Sequence, residues 1–358
     1  MKQLIRFELR KVLQNRLALI SIAAVLLLSI ALSLSTFLNM YTFDGSNKDG
    51  RGVFAVQIDK RIAAEYAGVL TDQTVQQMLS DFHPMNDLHG LNAKYLYQNA
   101  TQSAVFARFA DLNGNWNGQT VADVFGSEEI KIGYVNGWLN TSQNLAKVLL
   151  MLALVILLLV APVFAGEYNG VDQIILTSKY GKTACATAKV IACFFAALLV
   201  TTLVLAVHLL LGVVLYGTEG LDCSILFAPV EFTEEYIPFN LTCGTVLMYQ
   251  VLLAFTGAVS VTGIALLASA LSKNPLIAFV VAAAIYVFPM LLPISELSVW
   301  YRLVILLPVY HAQYITLLSA AQLGNGLLYA TWAIPAAIFF WSVGAFLSRR
   351  IFARHQVS

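Results

Sequence analysis

Residues 17–40 read LALISIAAVLLLSIALSLSTFLNM and contain no charged side chain. As an α-helix, these 24 residues would extend about 36 Å. That length exceeds the roughly 30 Å hydrocarbon core of a bilayer. Basic residues precede the stretch, but no small-x-small cleavage site ends it, so we expect a retained first span rather than a cleaved signal peptide. The stretch therefore predicts a membrane protein.

The composition extends this prediction to the whole chain. Of its 358 residues, 59% are hydrophobic and only 11% are charged. Soluble domains carry about 25% charged residues, so this chain is expected to be a polytopic membrane protein. The net charge of +1 predicts no nucleic-acid partner. The lipid bilayer is the first partner that the sequence indicates.

Six stretches are long and apolar enough to span a membrane. They are residues 17–40, 144–165, 190–216, 244–271, 276–293 and 327–348. The predicted fold is all-α and polytopic, with six transmembrane helices. A mainly helical extracytoplasmic domain, residues 41–143, is expected between the first and second of them.

The charges of the connecting segments predict the orientation. Residues 1–16, 166–189 and the tail 349–358 carry an excess of lysine and arginine, whereas the loop 217–243 has five acids and no Lys or Arg. Lysine and arginine are enriched in cytoplasmic segments. Both termini and the loop 166–189 are therefore expected in the cytoplasm, and the loop 217–243 outside.

Residues 294–326 are apolar and would fit a seventh span, but that span would place the basic tail outside. Pro289, Pro293 and Pro308 also divide the region into short pieces. We expect short outer re-entrant helices here, because irregular backbone at membrane depth must be covered by protein.

The first sixteen residues form a separate basic amphipathic helix. Apolar side chains recur in it at helical spacing, and most of its basic side chains lie off that stripe. This pattern predicts a helix in the inner membrane interface. Its interface residues are Arg6, Phe7, Arg10 and Lys11.

Residues that carry chemistry are few. No span contains a clear mid-depth acid or base, which disfavours a proton-driven secondary carrier. No catalytic triad, metal-ligand motif or complete phosphate-binding loop occurs. The Gly-Lys-Thr at 181–183 lacks the glycine five positions earlier, where Leu176 stands. We therefore expect no enzyme activity, no metal site and no cofactor in this chain.

Two of the four cysteines, Cys223 and Cys243, share the predicted outer loop 217–243. A disulfide between them is one alternative if that compartment is oxidising. Reduced thiols are the other, and sequence spacing does not decide between them.

The loop 166–189 is the largest segment predicted to be cytoplasmic between spans. Glu167 and Gly170 are followed by Ile175 and Leu176, then by Thr177-Ser178, Lys182 and Lys189. This order resembles the loop between the second and third spans of type-2 ABC exporter permeases. Lys179-Tyr180-Gly181-Lys182 departs from the Pro-x-Ser-Arg of many members. The resemblance implies a coupling helix that docks on an ATPase subunit, with Glu167, Tyr168, Gly170, Val171, Asp172, Ile174, Ile175, Leu176, Lys179, Gly181 and Lys182 as the coupling residues.

What the resemblance implies for function is a permease subunit in the bacterial plasma membrane. It would pair with a second copy or a paralogue and with separate ABC ATPase subunits that bind ATP and Mg²⁺. The few charges in the spans favour an amphipathic or hydrophobic cargo, such as a peptide, an antibiotic or a lipid-like molecule. The alternatives are a membrane sensor or scaffold with a ligand-binding outer domain and, third, a secondary carrier. Import rather than export stays open.

Overall fold

The structure is a computed structural model, and it describes residues 1–45, 48–84, 87–168, 181–229, 239–295, 298–320 and 328–354. The chain is mostly helical. It divides into two compact units. The bundle unit comprises Met1–Ser29, Leu145–Val207 and Tyr249–Ser358, and the mixed unit comprises Ile30–Asn144 and His208–Met248.

Helices account for most of the described chain, and four short strands form two antiparallel pairs. The strands are β1 (Tyr41–Phe43), β2 (Asp49–Arg51), β3 (Gly68–Val69) and β4 (Lys131–Ile132). The α-helices are α1 (Lys2–Leu13), α2 (Arg16–Asn39), α3 (Val53–Glu65), α4 (Asp72–Asp81), α5 (Ala100–Phe109), α6 (Val121–Phe125), α7 (Asn136–Val160), α8 (Pro162–Ala165), α9 (Ala186–Tyr216), α10 (Cys243–Leu271), α11 (Pro275–Val287), α12 (Val299–Val304), α13 (Tyr314–Ser319) and α14 (Ala333–Arg354).

Within the described residues, five helical segments are long and apolar enough to cross a membrane. They are Arg16–Asn39, Asn136–Ala165, Lys182–Tyr216, Cys243–Leu271 and Tyr329–Arg354. The segment predicted as the fifth span, 276–293, forms the shorter apolar helix Pro275–Leu291. These helices identify a multi-pass membrane protein.

The bounds of α2 and α10 fall within one residue of the predicted spans. By contrast, α7 begins at Asn136, eight residues before the predicted start at 144, and α9 begins at Ala186 rather than 190. The final helix continues to Arg354, beyond its predicted end at 348.

The mixed unit has its own apolar core. Met78, Val105, Phe106, Phe109 and Ile130 are almost fully buried in it. The sequence pattern predicts a helix over 71–82 that is capped by Thr71, and this prediction is confirmed. The Thr71 hydroxyl accepts a hydrogen bond from the Thr74 backbone N–H at 3.2 Å, which satisfies one free donor of the first turn of α4.

In the bundle unit, small residues let α10 and α14 approach closely. A side chain at Gly263 or Gly344 would overlap the backbone of the other helix. The small side chains Ala258 and Thr262 of α10 are buried as well. These small residues therefore serve packing within this chain.

Prolines divide the region after α11, as predicted for residues 294–326. The described pieces are short, namely α12, a 3₁₀ turn at Pro308–Ala312, and α13. The buried imidazole of His311 lies 3.1 Å from the Thr256 hydroxyl and 3.2 Å from the Leu306 carbonyl oxygen. These contacts satisfy its polar atoms inside the bundle unit.

Candidate functional site

Lys189 is the most deeply buried cationic group in the described part of the bundle unit. It is the fourth residue of α9, and its side chain is 0% exposed. A lysine ammonium is almost never fully buried unless opposite charges surround it. Its environment therefore marks a specific ionic site.

Two carboxylates from distant parts of the chain supply the opposite charge. The Lys189 Nζ donates to Glu8 Oε2 at 2.9 Å and to Glu167 Oε1 at 2.6 Å. Glu8 belongs to α1, and Glu167 follows the end of α8. Both glutamates are buried. One ammonium group thus joins the N-terminal helix, the start of the loop 166–189 and the start of α9.

A second lysine completes the charge balance. Lys11 Nζ lies 2.6 Å from the same oxygen, Glu167 Oε1, and its side chain is 50% exposed. We call Glu8, Lys11, Glu167 and Lys189 the ionic joint. Two positive and two negative charges give it no net charge, which offsets the several kcal/mol that each buried ion would otherwise cost.

Glu167 is the central member of the ionic joint, because it accepts from both lysines through one oxygen. Its other oxygen, Oε2, is buried and has no hydrogen-bond partner among the residues that the structure describes. Glu167 therefore makes both ion pairs through Oε1, and Oε2 remains an acceptor with no donor among the described residues.

The elements around Glu167 fix its position by backbone and side-chain contacts. The Ser269 hydroxyl of α10 accepts from the Phe164 and Ala165 backbone N–H groups at 2.9 and 3.1 Å, and it donates to the Ala161 carbonyl oxygen at 2.7 Å. One hydroxyl therefore ties the break between α7 and α8 to the end of α10.

The next residue, Tyr168, is anchored to two further helices of the bundle unit. Its hydroxyl donates to the Ala270 carbonyl oxygen at 2.9 Å, and its ring lies 6.1 Å from that of Phe352 in α14. Phe352 also contacts Phe164, with ring centroids 5.1 Å apart. The chain that enters the loop is thus held by α10 and α14 as well as by the ionic joint.

The N-terminal helix has the two faces that its sequence predicts. Val12 is buried, whereas Arg6, Arg10 and Lys11 are exposed. Phe7 is 63% exposed and lies on the same open side as the basic residues. A helix with an exposed phenylalanine among arginines and lysines suits an interface with lipid headgroups.

The structure describes only part of the predicted coupling loop. Glu167 and Tyr168 are placed at its start. Gly181 and Lys182 belong to the π-helical turn Gly181–Cys185, and Lys182 is exposed. The other predicted coupling residues lie outside the described residues, namely Gly170, Val171, Asp172, Ile174, Ile175, Leu176 and Lys179.

The sequence did not assign Glu8 to the site, and it gave Lys189 only as the last residue of the loop motif, not as a coupling residue. Glu8 is the only acid in a basic segment, and Lys189 lies one residue before the predicted third span. The available sequence signals were an acid among basic residues, at Glu8, and a lysine directly beside an apolar stretch, at Lys189. Their 181-residue separation gave no reason to pair them.

A second polar site lies in the mixed unit. A cavity of about 270 Å³ is lined by Tyr41, Tyr97, Asn99 and the buried carboxyl of Asp59, among others. The Asn136 side-chain amide donates to Asp59 Oδ2 at 3.0 Å. Burial raises the pKa of Asp59 to about 6, although hydrogen bonds from Asn136, the Ala100 amide and Thr42 oppose the rise.

The described residues contain no group of three or more His, Cys, Asp or Glu side chains arranged to hold a metal ion. Comparison of the chain with protein families, curated proteins and solved structures finds no match. Function is therefore inferred from the ionic joint, the apolar helices and the sequence.

Proposed function

We propose that this chain is the membrane-spanning permease subunit of an ATP-driven ABC exporter in the bacterial plasma membrane. The proposed topology has six spans, with both termini and the loop 166–189 in the cytoplasm and residues 41–143 outside. Five helices of sufficient length, the shorter Pro275–Leu291 and the distribution of basic residues support this topology.

The observation that carries the proposal is the position of Glu167. It stands at the entrance of the loop whose sequence resembles a coupling helix, and it is ion-paired to α1 through Lys11 and to α9 through Lys189. A force applied to this loop would reach both helices through ion pairs of 2.6 Å.

The proposed mechanism begins in separate ATPase subunits, which bind ATP and Mg²⁺. Their closure would displace the loop 166–189. Because Glu167 and Lys189 are buried and paired, the start of α9 would move with the loop rather than independently of it. In this mechanism the ATPase subunits hydrolyse ATP. This chain transmits the movement of the loop 166–189 to α9 and forms the path through the membrane.

The apolar surfaces support an amphipathic or hydrophobic cargo and a second permease copy or paralogue. In the most apolar stretch of α2, and in that of the segment Tyr329–Arg354 that contains α14, only 22% of the residues are buried within this chain. Leu27 and Phe346 are more than 60% exposed. Lipid covers such faces in a membrane, and we propose that cargo and a second permease subunit contact part of them.

The test is retention of an ABC ATPase on the tagged chain after mild solubilisation of native membranes. We expect the native chain to retain one. Leu176→Asp, in the predicted docking segment, should release it. Leu112→Asp is the matched control, because Leu112 is 67% exposed in the mixed unit, and this variant should behave as the native chain. A well-folded native chain that retains no ATPase would contradict the proposal.

The second candidate function is a membrane sensor or scaffold with a ligand-binding outer domain. The observation in its favour is the cavity beside Asp59, because a concave polar site suits a small ligand. This candidate requires no ATPase partner, so the same retention experiment distinguishes the two. Under the exporter proposal, purified complex should also hydrolyse ATP faster with amphipathic cargo than with small hydrophilic ions.

A further inference from the structure

Cys223 and Cys243 lie opposite each other on two antiparallel segments of the mixed unit. Ser224 and Thr242 form an antiparallel bridge, and the Cys243 backbone N–H donates to the Cys223 carbonyl oxygen at 3.0 Å. The Cys223 backbone N–H donates instead to the Gly220 carbonyl oxygen at 3.1 Å, so the pair makes one of its two possible backbone bonds. Opposite residues of an antiparallel pair have Cα atoms about 4.5–5.5 Å apart, within the roughly 4.4–6.8 Å that a disulfide requires.

Neighbouring hydrogen bonds hold this register. The Ser224 backbone N–H donates to the Lys131 carbonyl oxygen at 2.8 Å, and the Ser224 hydroxyl donates to Asn240 Oδ1 at 2.6 Å. The Asn240 side-chain amide donates in turn to the Glu129 carbonyl oxygen at 2.9 Å. Both cysteine-bearing segments are therefore fixed to the chain around β4, and a slip of one residue would break all three bonds.

The two thiols share one side of this pairing. Residues directly opposite in an antiparallel pair project to the same face. Both thiols are free and buried. Gly133 provides the space, because a Cβ at that position would lie 2.7 Å from Cys223 Sγ.

We propose that Cys223 and Cys243 are an oxidisable pair that forms a disulfide across this antiparallel bridge. The bond would close a loop of about 20 residues between the mixed-unit core and the start of α10. This inference does not rest on the exporter function. If the segment lies outside the membrane as proposed, it faces the compartment in which structural disulfides persist.

The reaction needs a disulfide oxidant, for which oxidised glutathione serves as the probe. One cysteine thiolate attacks a glutathione sulfur, which forms a mixed disulfide and releases one reduced glutathione. The second cysteine thiolate then attacks the protein sulfur of that mixed disulfide and releases the second reduced glutathione. Two protein thiols thus lose two protons and two electrons, and one glutathione disulfide is reduced.

Burial makes this oxidation slow at neutral pH. It raises the pKa of the Cys223 thiol to about 11, so only a small fraction of the thiol is the reactive thiolate at pH 7. As long as the pH is below this pKa, the initial rate of oxidation should increase roughly tenfold for each unit by which the pH is raised. The oxidation is therefore best measured at pH 8.5.

The experiment uses the full chain in detergent, reduced first and then treated with oxidised glutathione. The oxidation is run at the lowest temperature at which the thiols of Cys223 and Cys243 in the reduced chain react with methyl methanethiosulfonate. This reaction shows that a small reagent reaches both thiols. Remaining thiols are blocked with N-ethylmaleimide, and the chain is digested without reduction for mass spectrometry. Cys185 and Cys193 are internal controls, because neither lies in the antiparallel bridge.

We expect a peptide pair joined through Cys223 and Cys243, with Cys185 and Cys193 outside any such link. Oxidation should raise the apparent melting temperature by roughly 5–10 °C, and a reductant should reverse the rise. Cys243→Ser should abolish both the cross-link and the rise. Recovery of both cysteines as separate glutathione or maleimide adducts, with no link between them, would overturn the proposal.

Discussion

At Lys189, one ammonium group holds two carboxylates that are far apart in sequence. Its Nζ is within 2.9 Å of both Glu8 and Glu167, and its side chain is fully buried. Lys11 Nζ lies 2.6 Å from Glu167 Oε1, as close as Lys189 Nζ does, but the Lys11 side chain is 50% exposed. The two lysines therefore differ in burial more than in geometry, and burial decides how much each contributes to stability.

Lys189→Met should strongly destabilise the bundle unit, because it leaves Glu8 and Glu167 buried with too little positive charge. Breaking a buried pair in this way costs about 3–5 kcal/mol. Lys11→Met, the matched comparison, should cost clearly less, since Lys11 is half-exposed and Glu167 keeps its bond to Lys189. Thermal unfolding of the purified chain, followed by tryptophan fluorescence, measures both. Equal losses of stability in Lys189→Met and Lys11→Met would contradict the difference in burial between the two lysines.

Asp59 should give the mixed unit a pH dependence of its own. Its pKa is raised from 3.8 to about 6 in the folded state, so the folded chain binds this proton more tightly than the unfolded chain. The free energy of unfolding should therefore fall as pH rises from about 4 to about 6, and then level off. The full effect is about 3 kcal/mol at most.

Asp59→Asn tests this pH dependence, because an amide keeps the shape but has no proton to lose in this range. The stability difference between the native chain and the variant should favour the native chain more at pH 4 than at pH 7. Chemical unfolding at the two pH values measures it. A difference that does not change with pH would show that Asp59 is ionised normally.

At the scale of single helices, hydrophobic patterning predicted the long elements well where their ends were apolar. The spans predicted at 17–40 and 244–271 match α2 and α10. The start of α7 was missed because residues 136–144 are mostly polar, so hydropathy did not extend the helix. In the structure, Asn144 in this stretch donates to the Thr36 hydroxyl at 2.8 Å, and Thr141 is buried.

The crossing of α10 and α14 should tolerate no side chain at Gly344. A Cβ there would overlap the Gly263 backbone, so Gly344→Leu must push the helices apart or unfold their contact. Overpacking of this kind costs roughly 1–3 kcal/mol or more. Ser342→Leu is the control on the exposed face of the same helix and should be near neutral. The aggregation temperature, read by fluorescence-detected size exclusion, reports both variants.

Equal aggregation temperatures for Gly344→Leu and Ser342→Leu would contradict the close crossing. The sequence showed small residues at helical spacing in the fourth span, but a packing face inside the chain and a dimer seam predict the same pattern. Only the position of Gly344, 81 residues further along the chain, distinguishes them.

At the scale of the whole molecule, the loop motif drew attention to Glu167 but gave no account of the side chains that surround it. Glu167 was assigned from the motif of the loop, and the structure places it in the ionic joint. Glu8 could not be joined to it from sequence, because no periodicity links residues so far apart, and the motif that contains Lys189 did not predict that its side chain is buried against Glu167. The register that brings Cys223 and Cys243 together likewise depends on a bridge that spacing alone does not define.

Cargo-stimulated ATP hydrolysis, measured on the complex of this chain with the ATPase subunit that we propose, is the decisive test. Glu167→Gln keeps the side-chain shape but removes the charge that pairs with Lys11 and Lys189. Glu128→Gln is the matched control, since Glu128 is exposed in the mixed unit. Size exclusion and thermal unfolding first establish that each variant is folded, and Lys11→Met replaces Glu167→Gln if it is not.

We expect the Glu167→Gln complex to retain its ATPase but to lose cargo stimulation by about tenfold, roughly 1.4 kcal/mol of coupling. The Glu128→Gln complex should match the native one. A folded Glu167→Gln complex with unchanged stimulation would contradict the role of the ionic joint. A native chain with no associated ATP hydrolysis would contradict the exporter function itself.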